Sequence, residues 1–124
     1  MNRRDPVIPL RQILKHSREA VAVCSGKTRP DLDSDRLLNL AATRLIEIIG
    51  EAASRLPDGI MEKHPEIPWL EMIAARNRLM HGYESFDFDI LWVMITRDLP
   101  VIIRQLETLF EDRHEYIPAE HIFN

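Results

Sequence analysis

Apolar residues recur three and four positions apart along most of this chain, the spacing that lines one face of an α-helix. A first helix is predicted from about Pro9 to Cys24, with Leu10, Ile13, Leu14, Ser17, Ala20, Val21 and Cys24 on one side. Gly26 to Asp33, with Pro30 inside it, reads as a loop. Asp33 or Ser34 is placed to cap the next helix, which reaches about Leu56 and spans about 30 Å at a rise of about 1.5 Å per residue. Its stripe (Leu38, Ala41, Leu45, Ile48, Ile49, Ala52, Leu56) is broad and rich in small residues, which predicts packing against more than one neighbour. Pro57 closes this helix, and Asp58 to Lys63 predicts one short turn before His64-Pro65. Pro68 suits the first turn of a helix that starts near Trp69 and ends with Gly82 in the position just past its C-terminus. Asp87 is a candidate cap for a last segment from Phe88 to about Asp112, which Pro100 should kink or divide. No segment alternates with period two for long enough to make a strand. Long helices joined by short loops predict an all-α, antiparallel bundle of four to five helices.

At 124 residues the chain supports one core, so residues 1–124 are read as a single domain with its core at about 8–112. The tail from 113 to 124 is too short for a domain and is expected to dock or fray. The single Cys24 leaves no internal disulfide and suits a reducing cytosol. No apolar run approaches the roughly 18 residues needed to span a bilayer, and no apolar stretch follows the basic N-terminus as in a signal peptide. A cytoplasmic location without membrane contact is therefore expected. A net charge of −4 argues against broad coating of nucleic acid, while leaving room for a local cationic site. Thirteen of the sixteen basic residues are Arg, the side chain that grips phosphate with two parallel bonds.

One residue breaks the pattern. The stripe of the helix after Pro68 runs Trp69, Met72, Ile73, then Arg76, then Met80 and Tyr83. A guanidinium on a core stripe is costly unless it is paired or placed at a wet seam. Such conflicts between local pattern and residue type concentrate at functional sites. His81 lies about 140° around the helix from Arg76, yet it is at the helix end, where the ring can swing round. Imidazole is the side chain suited to proton transfer near neutral pH, and a helix C-terminus favours a cation. Arg and His aimed at one phosphate are the minimal equipment for metal-independent RNA cleavage, with a base on the ribose 2′-hydroxyl and a cation on the developing charge. A two-fold dimer would bring a second His81 across the seam, and the Arg76 face would become the subunit interface. Tyr83 adds a hydroxyl and an aromatic face, while Asn77 and Arg78 are candidate RNA contacts.

Other carboxylates and imidazoles carry less. Asp87 and Asp89 form an Asp-x-Asp pair without the Gly-Ser turn or strand of a nucleotidyltransferase, so capping by Asp87 is the simpler reading. Glu47 and Glu51 are one turn apart, and Glu51 has Arg55 four residues on, the spacing of a solvated ion pair. Glu51 is also kept as an orienting partner for Arg76. His16, His64, His114 and His121 lack metal-ligand spacing, so neither a metal nor a cofactor is expected.

The segment Arg76-Asn77-Arg78-Leu79-Met80-His81-Gly82-Tyr83 resembles the signature R-x-x-x-x-H-x-Y of the HepT-type branch of the HEPN-domain family. Those proteins are the toxin halves of HepT–MntA toxin–antitoxin pairs, of the type VII kind. Ile49-Gly50-Glu51-Ala52, His64 to Trp69 and Asp98-Leu99-Pro100 extend the resemblance over roughly residues 8 to 112. It implies an all-α HEPN bundle, a homodimer with a composite site, and a metal-independent endoribonuclease with Arg76 and His81 catalytic. It also implies an MntA-type minimal nucleotidyltransferase antitoxin that transfers AMP from ATP onto Tyr83. Negative charge and bulk on the rim of an RNA site would then silence it. The competing reading is a helical adaptor whose motif face docks a nucleotidyltransferase or binds a nucleotide without cleaving RNA.

Overall fold

The computed structural model describes residues 5–112, and the predicted tail with His114 and His121 lies outside them. Those residues form helices α1 (Val7–Cys24), α2 (Asp31–Ser34), α3 (Arg36–Ser54), α4 (Asp58–Lys63), α5 (Trp69–Gly82), α6 (Phe88–Val93) and α7 (Leu99–Asp112), with no strand among them. The helical bundle expected from the periodicity is the observed architecture.

Helix α3 lies between α1 and α5, and α1 also packs on α7. Both α3 pairings are antiparallel. Arg55, just past α3, reaches Gln12 near the start of α1, and Tyr83, just past α5, reaches Asn39 near the start of α3. The buried side of α1 is as predicted, apart from a half-buried Val21. For α3 the predicted stripe is offset. Leu38, Asn39, Ala42, Thr43, Ile46, Ile49, Gly50, Ala52 and Ala53 are buried, whereas Ala41, Leu45 and Ile48 are only half-buried. A helix clasped from two sides buries two faces, and a single-stripe reading averages them into one direction.

The α1–α3 connection is more ordered than a loop. Gly26 takes φ +76°, a left-handed conformation that glycine adopts without steric cost as the chain leaves α1. Asp31 then accepts from the Thr28 backbone N–H (2.7 Å) and hydroxyl (3.1 Å), which starts α2 at Asp31. The cap of α3 is accordingly Asp35, which accepts from the Leu38 N–H at 3.1 Å, and neither Asp33 nor Ser34 serves.

Asp87 caps α6 as predicted, accepting from the Asp89 N–H at 2.8 Å. Pro100 has no N–H to offer the Thr96 carbonyl, and ahead of it Met94–Asp98 widens into a π-type turn that links α6 to α7. The Leu99 N–H bonds to the Met94 carbonyl, five residues back, and the Thr96 hydroxyl donates to the Trp92 carbonyl at 2.7 Å. No helix among the described residues is long and apolar enough to cross a membrane.

Candidate active site on the motif helix

Helix α5 has Pro68 as its N-cap, and the Trp69 indole N–H donates to the His64 carbonyl at 2.9 Å, which pins the preceding loop to the helix start. Its buried residues are Trp69, Met72, Ala75 and Leu79. Met80, placed on the core stripe by the periodicity, is instead 57% exposed. The stripe steps 3-3-4, so it drifts to Leu79, and Met80 is carried outward beside it. The end of α5 also differs from expectation. Gly82 is its last residue, at φ −170°, and the chain continues into a 3₁₀ turn, Tyr83–Ser85, rather than through a left-handed cap.

The Arg76 stem lies against α3 where the two backbones come closest. A Cβ at Gly50 would fall on the Arg76 Cβ and 2.5 Å from the Met72 carbonyl oxygen, so only glycine permits this crossing. The Arg76 stem is therefore covered within the chain by α3. Its guanidinium emerges at the edge of the crossing, 27% exposed, and donates to Glu51 Oε1 at 2.6 Å and Asn77 Oδ1 at 3.0 Å. Glu51 also receives Arg55 at 3.3 Å, so the predicted i, i+4 pair and the orienting partnership with Arg76 coexist. Arg55 in turn donates to Gln12. Two donors committed to two acceptors hold the Arg76 guanidinium in one orientation.

His81 is exposed and, among the described residues, takes part in no hydrogen bond or ion pair. It lines a pocket of about 340 Å³ with Arg78, Gly82, Ser85, Phe86, Asp87 and Ile90. Arg76 is not part of that pocket, because helical rotation separates it from His81 and α5 stays helical through Gly82. The cation that one chain places beside His81 is Arg78.

Tyr83 is half-buried, its ring edge-on to Phe88 at 6.0 Å between centroids. Its hydroxyl donates to Asn39 Oδ1 at 2.5 Å, while Asn39 Nδ2 donates to the Leu32 carbonyl at 2.9 Å. Sequence reasoning missed Asn39, because the predicted α3 stripe left it off the buried side. Tyr83→Phe removes the donor that, among the described residues, satisfies the Oδ1 of the 95% buried Asn39. It should cost about 1 kcal/mol, read as a lower urea midpoint at unchanged slope.

The remaining candidates have structural roles. Asp89 pairs with Arg29 at 2.6 Å, so the Asp-x-Asp pair is spent on a cap and an ion pair. His16 bonds to the Gln12 carbonyl at 2.8 Å, and His64 faces Glu66 at 3.6 Å. Burial raises the pKa of the Cys24 thiol, so it stays protonated and inert.

Comparison with known proteins identifies the family. The family described as Ribonuclease HepT-like matches residues 11–109. A "Probable ribonuclease HepT" of Thermococcus cleftensis is 36% identical over 95 residues, covering 73% of this chain and 86% of that protein. A "Putative RNase" of Methanocaldococcus jannaschii is 31% identical over 107 residues, covering 86% of this chain and 98% of its own length. Another so named, from Caldanaerobacter subterraneus subsp. tengcongensis, is 31% identical over 102 residues, covering 82% and 91%. No solved structure matches the chain. With the family match spanning most of the bundle and the relatives aligned over nearly their full lengths, the chain belongs to the HepT-like ribonuclease family.

Proposed function

We propose that this chain is a metal-independent endoribonuclease, the cytoplasmic toxin of a toxin–antitoxin pair, acting as a homodimer with residues 1–124 as one HEPN domain. The observation that carries the reading is the state of the motif side chains. Among the described residues His81 has no partner and lies at the surface, and Arg76 is held by Glu51 and Asn77 at the edge of the same helix. An imidazole takes the proton of a ribose 2′-hydroxyl, and that oxygen attacks the adjacent phosphorus. The bond to the 5′-oxygen breaks, a second imidazole returns a proton to it, and a 2′,3′-cyclic phosphate and a 5′-hydroxyl remain. Arg76 offsets the charge that builds on the phosphoryl oxygens, with Glu51 as its positioning residue.

A single chain has one His81 and holds Arg76 away from it, which favours a site shared between two copies. The outward side of α5 supplies apolar surface for that pairing, with Leu70 71% and Met80 57% exposed. Mixing tests it. The wild-type chain is refolded with about a ninefold excess of His81→Ala chain, so that roughly one wild-type protomer in ten finds a wild-type partner. A site that needs both His81 residues should lose about nine-tenths of its cleavage rate per wild-type chain, measured on RNA in EDTA. Undiminished activity per wild-type chain would mean independent sites.

Control by a nucleotidyltransferase partner completes the reading. The Tyr83 oxygen attacks the α-phosphorus of ATP, pyrophosphate leaves, and the phenolic proton passes to solvent. That proton is the one Asn39 accepts, so modification both adds charge beside the RNA site and strands a buried carbonyl oxygen. Intact mass after co-expression with a minimal nucleotidyltransferase reads the transfer as added AMP.

A further inference from the structure

The pocket beside His81 has a cationic wall for which the cleavage chemistry above has no use. The guanidinium carbon of Arg78 sits 5.7 Å from the centroid of the Phe86 ring, and that ring is 92% buried. Stacking on a fixed aromatic face gives the guanidinium a preferred orientation, so less freedom is lost when it grips an anion. Arg29, Arg55, Arg76 and Arg97 are each tied to a carboxylate. Arg78, among the described residues, is tied to none, and its side chain is exposed. The other ionisable groups on this pocket are His81 and Asp87. Asp87 Oδ1 is engaged as the cap of α6, where it accepts from the Asp89 N–H at 2.8 Å. A volume of about 340 Å³ is at the low end for sites that hold a small ligand.

We infer that Arg78 is a further RNA-binding residue, gripping the backbone phosphate next to the one that is cut, with this pocket receiving the attached nucleotide. The inference rests on the ribonuclease reading and deepens it. Phe86 backs the guanidinium, and Arg78 presents the planar pair of donors that matches phosphate oxygens. Register follows from the arrangement. A phosphate on Arg78 sets which neighbouring 2′-hydroxyl faces His81, because both side chains border one pocket.

The test is equilibrium binding of a labelled single-stranded RNA across a range of salt, with the full chain carrying His81→Ala so that nothing is cut. Adding Arg78→Ala should weaken binding about tenfold. It should also reduce the slope of log affinity against log salt by about 0.7, the share of one phosphate contact on a single strand. Arg78→Lys should keep the slope and lose part of the affinity, since an ammonium retains charge but neither stacks nor binds with a fork. Unchanged affinity and slope in Arg78→Ala would overturn the inference and leave Arg78 a solvated surface cation. If the His81→Ala parent itself binds no RNA at any salt, the ribonuclease reading fails, and the inference with it.

Discussion

His81→Ala should slow RNA cleavage by about 10²–10⁴-fold while leaving the fold as it is, the range by which a positioned proton-transfer group accelerates a reaction. The side chain is exposed and bonds to nothing among the described residues, so its truncation removes no packing and strands no partner. Stability should move by no more than about 0.5 kcal/mol, as at other surface positions. The measurement is the cleavage rate of wild-type and variant protein in EDTA, produced without a partner and with intact mass checked, alongside a thermal melt of each. A large loss of rate at an unchanged melting temperature places the imidazole in the chemistry. Equal rates at equal stability would remove the nuclease reading and leave the adaptor, a helical subunit that docks or binds nucleotide without cutting RNA. Arg76→Ala is a less clean probe, because it also strips the stem that packs on Gly50 and leaves Glu51 with Arg55 alone.

Gly50→Ala should cost about 3 kcal/mol, the upper end of what overpacking a core costs. The collision is with backbone. The added carbon would lie 2.5 Å from the Met72 carbonyl oxygen and on the Arg76 Cβ, neither of which a rotamer change can move away. Helices α3 and α5 would have to separate, and the cost spreads along the buried contacts between them. At roughly 3–5 °C per kcal/mol for a domain of this size, the melting temperature should fall by about 10–15 °C. The same separation draws Glu51 away from Arg76, so cleavage by the folded fraction should fall as well. Two readouts on one variant, the melt and the rate per folded molecule, separate these effects. A Gly50→Ala chain as stable and active as wild type would show that the crossing is looser than its geometry.

The periodicity carried α1, α4, the α6 cap and the interruption at Pro100, because each depends on neighbours close in sequence. A proline that lacks an N–H and an aspartate that caps act through the next few residues wherever the chain folds. The α3 stripe and the position of Met80 were misplaced for a different reason. Which residues a helix buries depends on how many neighbours clasp it and from which directions, and local spacing does not encode that. Asn39 was passed over because its partners, Leu32 and Tyr83, come from separate parts of the chain.

The motif fared likewise. Its residues were legible at once, since an Arg on an apolar helical face followed by His and Tyr conflicts with simple core packing. The relation between them was not. Sequence spacing set Arg76 and His81 about 140° apart, and a swing of the helix end was needed to bring them together. The helix runs on through Gly82 and turns 3₁₀ instead, so the two stay on different sides. By itself, the sequence determined an all-α chain, a helix bearing Arg76 and His81 with Tyr83 at its end, and the family these signal, because hydrophobic period, caps and proline act locally. Only the tertiary structure decided that Gly50 seats Arg76, that Glu51 aims it, and that Asn39 holds Tyr83. Each of those contacts joins segments whose approach is set by the packing of whole helices or by the turn that follows α5.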